Sequence, residues 1–190
     1  FIFFEARDEG LNKILAQYHQ YFAVQKAVHS TLQAVMVGDS RGGVFWHTQG
    51  SGKSLSMVFY TQSLIRQLDH PTFVILTDRN DLDTQLFGQF ARASKFLRQN
   101  PIQAESRAHL KDLLSNRKSN GIFFSTMQKF AESEEPLTLR NDVIVIADEA
   151  HRSQYGLREK MSKDGRVQLG MARLVRQSLP KATYIGFTGT

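Results

Sequence analysis

Five short apolar runs, each followed by a longer polar or amphipathic stretch, constrain this chain more than any other feature. They are Val44-Phe45-Trp46, Phe73-Val74-Ile75-Leu76, Ile122-Phe123-Phe124, Val143-Ile144-Val145-Ile146 and Tyr184-Ile185-Gly186-Phe187. None alternates apolar with polar residues, as a strand with one solvated face would. Continuous apolar strands belong in a sheet covered on both sides, and helical connections between them imply parallel pairing. The expected fold is therefore α/β: a doubly wound, mostly parallel sheet between two helical layers, a three-layer αβα arrangement. At 190 residues, 41% of them hydrophobic, the chain suits one such unit and is too short for two ordinary ones. Ahead of the first run, Leu11, Ile14, Leu15, Tyr18, Phe22, Ala27 and Val28 recur at helical spacing. That spacing predicts a mainly helical first forty residues, ending in a loop at Asp39-Ser40-Arg41-Gly42-Gly43. Residues 1–10 read as a linker from a preceding domain, and 11–190 as the domain itself.

Composition excludes several classes. The opening Phe1-Ile2-Phe3-Phe4 is stopped by Glu5 and Arg7, and no later run approaches the roughly 20 apolar residues that span a bilayer. Without cysteine there is neither a disulfide framework nor a thiolate metal site, which is compatible with a reducing cytoplasm, the expected location. The formal net charge is +6. Between Arg152 and Lys181, Arg152, Arg158, Lys160, Lys163, Arg166, Arg173, Arg176 and Lys181 face only Glu159 and Asp164, a local surplus as large as the whole. Such a surplus fits either a polyanionic partner or a solvated helix-and-loop face.

In doubly wound sheets, ligands sit beyond the carboxyl ends of the strands. Directly after Val44–Trp46 stands His47-Thr48-Gln49-Gly50-Ser51-Gly52-Lys53-Ser54, and Leu55, Val58, Phe59, Leu64, Ile65 and Leu68 then follow at helical spacing. Strand, glycine loop and helix form the context of a phosphate-binding loop. Gly50 and Gly52 let consecutive N–H groups turn toward phosphate oxygens, and the helix N-terminus adds partial positive charge. Thr48, Gln49, Gly50, Ser51, Gly52, Lys53 and Ser54 are the expected nucleotide contacts, with Lys53 reaching the β- and γ-phosphates and Ser54 ligating Mg²⁺. A second group ends the strand Val143–Ala147, where Asp148 is suited to hold Mg²⁺ through water and Glu149 to polarise the attacking water. Two adjacent carboxylates closing a buried strand are costly unless a cation or hydrogen bonds compensate. ATP and Mg²⁺ are thus the expected cofactors. One departure stands out: the general loop pattern has a first glycine, separated by four residues from the Gly-Lys pair, and here that position is His47.

Asp148-Glu149-Ala150-His151 is a DEAH box. Superfamily 2 helicases and translocases often lack the first loop glycine, and the chain resembles those motors. The resemblance implies that a glutamine before the phosphate loop reads the adenine edge. In His19-Gln20-Tyr21-Phe22-Ala23-Val24 this is Gln20, with Gln25 as the substitute; an amide donates and accepts at once. It also implies that His151 contacts Thr188-Gly189-Thr190, which resembles motif III and would couple the nucleotide site to movement. Arg79, after the second apolar run, and Thr126 and Lys129, after the third, occupy positions like motifs Ia and Ib. There such motors hold a nucleic-acid backbone without reading its sequence.

The stretches His-Thr-Gln-Gly-Ser-Gly-Lys-Ser, Leu-Thr-Asp-Arg-Asn-Asp-Leu-Asp-Thr-Gln-Leu and Asp-Glu-Ala-His-Arg-Ser-Gln-Tyr-Gly together resemble the motor subunit of type I restriction-modification enzymes over nearly the whole chain. That likeness implies a longer polypeptide with an N-terminal PD-(D/E)XK nuclease, two RecA-like motor domains and a C-terminal segment, of which 11–190 is the first motor domain. It implies an ATP-dependent translocase of double-stranded DNA within a site-specific deoxyribonuclease. Its partners would be duplex DNA, the second RecA-like domain, and the methyltransferase and specificity subunits. An arginine from the facing domain, worth about 10³–10⁵ in rate in other phosphoryl-transfer enzymes, would be supplied from outside the chain. Hydrolysis by the chain alone is therefore expected to be poor. Two other readings remain: a DEAH-type helicase of RNA or DNA repair, and a nucleotide-binding regulatory module that never hydrolyses. Glu149 argues against the second.

Overall fold

The computed structural model describes residues 1–7, 10–77, 80–116, 119–132, 135–150, 160–161, 167–168 and 170–189. In chain order the elements are β1 (Ile2–Arg7), β2 (Gly10–Leu15), α1 (Tyr18–Val37), β3 (Arg41–Trp46), α2 (Lys53–Ile65), β4 (Thr72–Thr77), α3 (Asn80–Arg92) and α4 (Ser94–Leu97). Then follow β5 (Ile102–Gln103), α5 (Arg107–Ser115), β6 (Gly121–Thr126), a 3₁₀ turn (Met127–Glu132), β7 (Val143–Ala147), β8 (Lys160–Met161), β9 (Val167–Gln168), α6 (Met171–Ser178) and β10 (Thr183–Thr188).

Six strands form one parallel sheet in the order β3-β10-β7-β4-β6-β5. The apolar runs of β4, β6 and β7 have the expected cause, because alternate residues of one strand enter separate cores. Phe73 and Ile75 of β4, Ile122 and Phe124 of β6, and Ile144 and Ile146 of β7 join Val24 and Val28 of α1, Met57 to Tyr60 of α2, and Leu86 and Phe90 of α3. Their neighbours Val74, Leu76, Phe123, Val143 and Val145 join Leu110 and Leu114 of α5, Phe130 of the 3₁₀ turn and Val175 of α6. Residues of these central strands have no solvated side to turn to, which is why β4 and β6 are buried along their whole length, whereas β3, at the edge of the sheet, leaves Val44 and Trp46 exposed. The doubly wound α/β expectation holds.

Two local expectations are corrected. The first forty residues are not mainly helical: Ile2–Arg7 and Gly10–Leu15 form an antiparallel hairpin, and the helix starts only at Tyr18. Residues 2–7, read as part of a linker, place Phe3 in the core. The expected loop at 39–43 is also shorter, since Arg41, Gly42 and Gly43 open β3. Gly42 is there for closeness: a Cβ on it would lie 2.9 Å from the Tyr184 carbonyl oxygen of β10 and 3.2 Å from Thr31 Oγ1 of α1. Among the described residues, no helix is long and apolar enough to cross a membrane.

Candidate nucleotide site

β3 and β7 are separated in the sheet only by β10, so the segments leaving their carboxyl ends emerge side by side. After β3 the chain turns sharply, with Ser51 Oγ donating to the Thr48 carbonyl at 2.6 Å. Gly50 and Gly52 have φ of +81° and +79°, the left-handed region that glycine enters without a Cβ clash. Gly52 caps α2 with no side-chain hydrogen bond, and the first turn holds no acidic residue. The first N–H groups of α2 and its dipole are therefore not answered by a carboxylate from within the helix. Thr48, Gln49, Gly50 and Ser54 are exposed at the rim, and Ser51 is half-buried.

The two segments meet at one contact. Lys53 Nζ donates to Glu149 Oε1 at 3.0 Å, with side-chain exposures of only 11% and 19%. Asp148 is anchored by its own N–H, which donates to the Leu76 carbonyl of β4 at 2.9 Å, and its Oδ1 accepts from the Glu149 N–H at 2.9 Å. Glu149 has φ of +47°, a conformation side chains rarely adopt. β10 ends against the same loop. The His47 N–H donates to the Thr188 carbonyl at 2.9 Å, and a Cβ on Gly189 would stand 2.7 Å from Lys53 Nζ and 3.2 Å from the His47 carbonyl oxygen. Thr188 is buried.

Gln20 reaches the site from α1. It is buried; its Nε2 donates to the Ser51 and Gly52 carbonyls at 3.3 and 3.1 Å, and its Oε1 accepts from the Gln17 N–H at 2.9 Å. Its amide thus holds the end of the loop. Gln25 is exposed on the same helix. Sequence reasoning left out the imidazole pair beside it: the rings of His19 and His47 are 4.9 Å apart. The signal was the histidine in the glycine position, but its neighbour becomes visible only once α1 packs beside β3. Burial first, then His19 and Lys53, hold His47 below the usual histidine range.

The remaining candidates stand apart from this cluster. Thr126 is buried at the end of β6, and the half-buried Lys129 donates through Nζ to the Ala104 carbonyl. Arg79, His151 and Thr190 lie outside the described residues, as do Arg152, Arg158, Lys163 and Arg166 of the basic stretch. Arg176 packs its guanidinium 4.5 Å over the ring of Tyr184. No group of three or more His, Cys, Asp or Glu among the described residues could hold a metal ion. Ser54 and Asp148 supply oxygen donors, which fit Mg²⁺, a cation that keeps several waters and takes the rest of its shell from substrate phosphates.

Comparison with known proteins bears on the family and the fold. The SWI2/SNF2 ATPase family model matches residues 19–190. The chain is 50% identical to the type I restriction enzyme HindI endonuclease subunit of Haemophilus influenzae, over all of this chain and 19% of that protein. It is 35% identical to the type I restriction enzyme SauCOLORF180P endonuclease subunit of Staphylococcus aureus, over 90% of this chain and 17% of that one. It therefore spans less than a fifth of the length of these relatives. Among solved structures, the ATP-dependent Type ISP restriction-modification enzyme LlaBIII bound to DNA matches 95% of this chain and 13% of its own, with TM-score 0.54 and 16% identity. The yeast DEAD-box splicing factor Prp28 matches all of this chain and 49% of its own, with TM-score 0.52 and 15% identity. At those identities the two structures speak for the RecA-like helicase fold alone. The chain belongs to the SWI2/SNF2 ATPase family and is a homologue of type I restriction enzyme endonuclease subunits.

Proposed function

We propose that this chain is the ATP-binding and ATP-hydrolysing motor domain of a type I restriction endonuclease subunit, and that it drives translocation of double-stranded DNA before cleavage. The 3.0 Å contact between Lys53 and Glu149 carries the reading, because it joins the phosphate loop to the paired carboxylates at one end of the sheet. Mg·ATP, when bound, supplies a transferable phosphoryl group with its charge partly neutralised. The loop from Thr48 to Gly52 offers N–H groups to the phosphates, and Gln20, at the end of that loop, is the residue suited to the adenine edge. Lys53 exchanges its carboxylate partner for phosphate oxygens, which releases Glu149 to orient and polarise a water. Ser54 and Asp148 hold the cation side. Gly189, which leaves room for the Lys53 ammonium, belongs with Thr188 and Thr190 to the segment that would relay this exchange, with His151 as its contact. Arg79, Thr126 and Lys129 are proposed for the nucleic-acid backbone. Lys129 would first have to leave the Ala104 carbonyl, and Thr126 would need the end of β6 to open.

The proposed partners are duplex DNA, the second RecA-like domain of the same polypeptide, and the methyltransferase and specificity subunits; the likeness to type I restriction enzyme endonuclease subunits supports them. The test is the ATPase rate of the full-length polypeptide, assembled with those subunits, with duplex DNA or with RNA added. Stimulation by duplex DNA alone is expected. Stimulation by RNA alone would replace this reading with an RNA helicase, and absence of hydrolysis under all conditions would leave a nucleotide-binding regulatory module.

A further inference from the structure

His47 stands where the general phosphate-loop pattern carries glycine, and its backbone has no need of one. Within the loop, positive φ falls at Gly50 and Gly52 and not at residue 47. What the position has instead is a side chain with neighbours. The imidazole lies 5.4 Å from the ring of Phe45 and 4.9 Å from that of His19, centroid to centroid. His47 Nδ1 and His19 Nε2 are both buried without a hydrogen-bond partner. A buried ring nitrogen without a partner is destabilising, and packing has to offset it. The groups acting on His47 are His19 from α1 and Lys53 from the start of α2, with Glu149 paired to Lys53 behind it. Burial first, then these two groups, oppose a proton on His47, and a neutral ring is the form that stacks without a desolvation penalty for charge.

His19 is followed by Gln20, whose amide donates to the Ser51 and Gly52 carbonyls. The first turn of α1 therefore touches the phosphate loop at both ends, by a ring pair at His47 and by an amide at Gly52. Between these points, among the described residues, the loop's own hydrogen bonds join only Ser51 to Thr48. We propose that His47 is a positioning residue for the nucleotide: paired with His19, it ties the start of the phosphate loop to α1, so that the loop is held in its binding shape before ligand arrives. A loop ordered in advance loses less freedom on binding, and its contribution appears as affinity. The inference rests on the nucleotide-binding reading of this site and goes further by giving a role to the residue that departs from the general pattern.

The experiment uses the full-length polypeptide with its partner subunits and duplex DNA. ATPase kinetics and equilibrium binding of a fluorescent ATP analogue with Mg²⁺ are measured for the unmodified protein, His47→Ala, His47→Phe, His19→Ala and the double alanine variant. His47→Ala is expected to raise the KM for ATP by about two- to tenfold, the size expected of one aromatic pair, with kcat little changed. His47→Phe, which keeps a ring against His19, restores most of the affinity. The double variant is no weaker than His47→Ala alone, since both remove one interaction. An unchanged KM in His47→Ala, a loss confined to kcat, additive losses in the double variant, or His47→Phe as weak as alanine would each overturn the proposal. A wild-type protein that binds no analogue would overturn the nucleotide site itself, an outcome distinct from wild-type binding that His47→Ala leaves intact.

Discussion

A carboxylate and an ammonium 3.0 Å apart, both largely out of water, stay paired only if the backbone delivers them. For Glu149 the delivery is strained: φ of +47° in a non-glycine residue costs on the order of 1–3 kcal/mol and persists where the surroundings over-determine it. Here they do, through the Asp148 N–H on the Leu76 carbonyl and the Glu149 N–H on Asp148 Oδ1. Glu149→Gln keeps the shape and the strain while removing the charge. Its melting temperature in the full-length protein should stay within a few degrees of wild type, while ATPase turnover falls by at least about a hundredfold, the scale of a lost general base. Wild-type turnover in this variant would remove Glu149 from the chemistry. The convergence of Gly50–Ser54 with Asp148-Glu149 was expected from the sequence, because the proposed phosphate and metal chemistry calls for those residue types at the ends of nearby strands. The strain at Glu149 and the pairing of His47 with His19 were not, because each depends on how separate elements approach one another.

At the scale of elements, β4, β6, β7 and β10 were legible for a physical reason. A strand covered on both faces has no polar position to confuse the pattern. The N-terminal helix misled for the opposite reason. Leu11, Ile14, Leu15, Tyr18 and Phe22 have helical spacing, yet Leu11 and Leu15 lie on β2, and Tyr18 and Phe22 are exposed on α1. The face of α1 that is buried runs through Gln20, Val24, Val28, Thr31 and Ala34, with two polar residues in it. Thr31 is admitted because its hydroxyl meets Tyr60 Oη at 2.7 Å, and Gln20 because its amide donates to the Ser51 and Gly52 carbonyls. β3 was underestimated because its first residues include Gly42, chosen for proximity and not for strand propensity. A methyl there would meet backbone oxygen, which cannot rotate away, so α1, β3 and β10 would have to separate. Gly42→Ala should destabilise by about 1–3 kcal/mol, which for a domain of this size lowers the melting temperature by roughly 2–12 °C. Because β3 leads into the phosphate loop, nucleotide affinity should fall as well. Thermal melting and analogue binding of one preparation check both, and an unchanged melting temperature would mean that the sheet absorbs the methyl at no cost.

At the scale of the whole molecule, the question is how far the folded unit extends, and the hairpin decides it. A two-stranded ribbon is marginal by itself, but here one side of β1 is part of the main core. Phe3 stacks on Phe96 at 4.9 Å and meets Phe59 edge-on at 5.8 Å, while Phe1 meets Tyr21 edge-on at 4.9 Å. Glu5, fully buried, is ion-paired with Arg92 of α3. Glu5 had read as the polar stop to an apolar start; in the fold it points inward beside Phe3, and Ile2 and Phe4 point out. An extended strand reverses direction at every residue, so a carboxylate two positions from a core phenylalanine must share its side. The hairpin is therefore a structural part of the fold, covering α2 and α4 where they would otherwise expose aromatic surface. Phe3→Ala should cost about 3–5 kcal/mol, a drop of roughly 6–20 °C in melting temperature for a domain of this size. Phe4→Ala, on the outer side of the same strand and 58% exposed, should change it by less than a quarter as much. Equal effects from the two substitutions in thermal unfolding would mean that the hairpin is an appendage, and that the folded unit begins at α1.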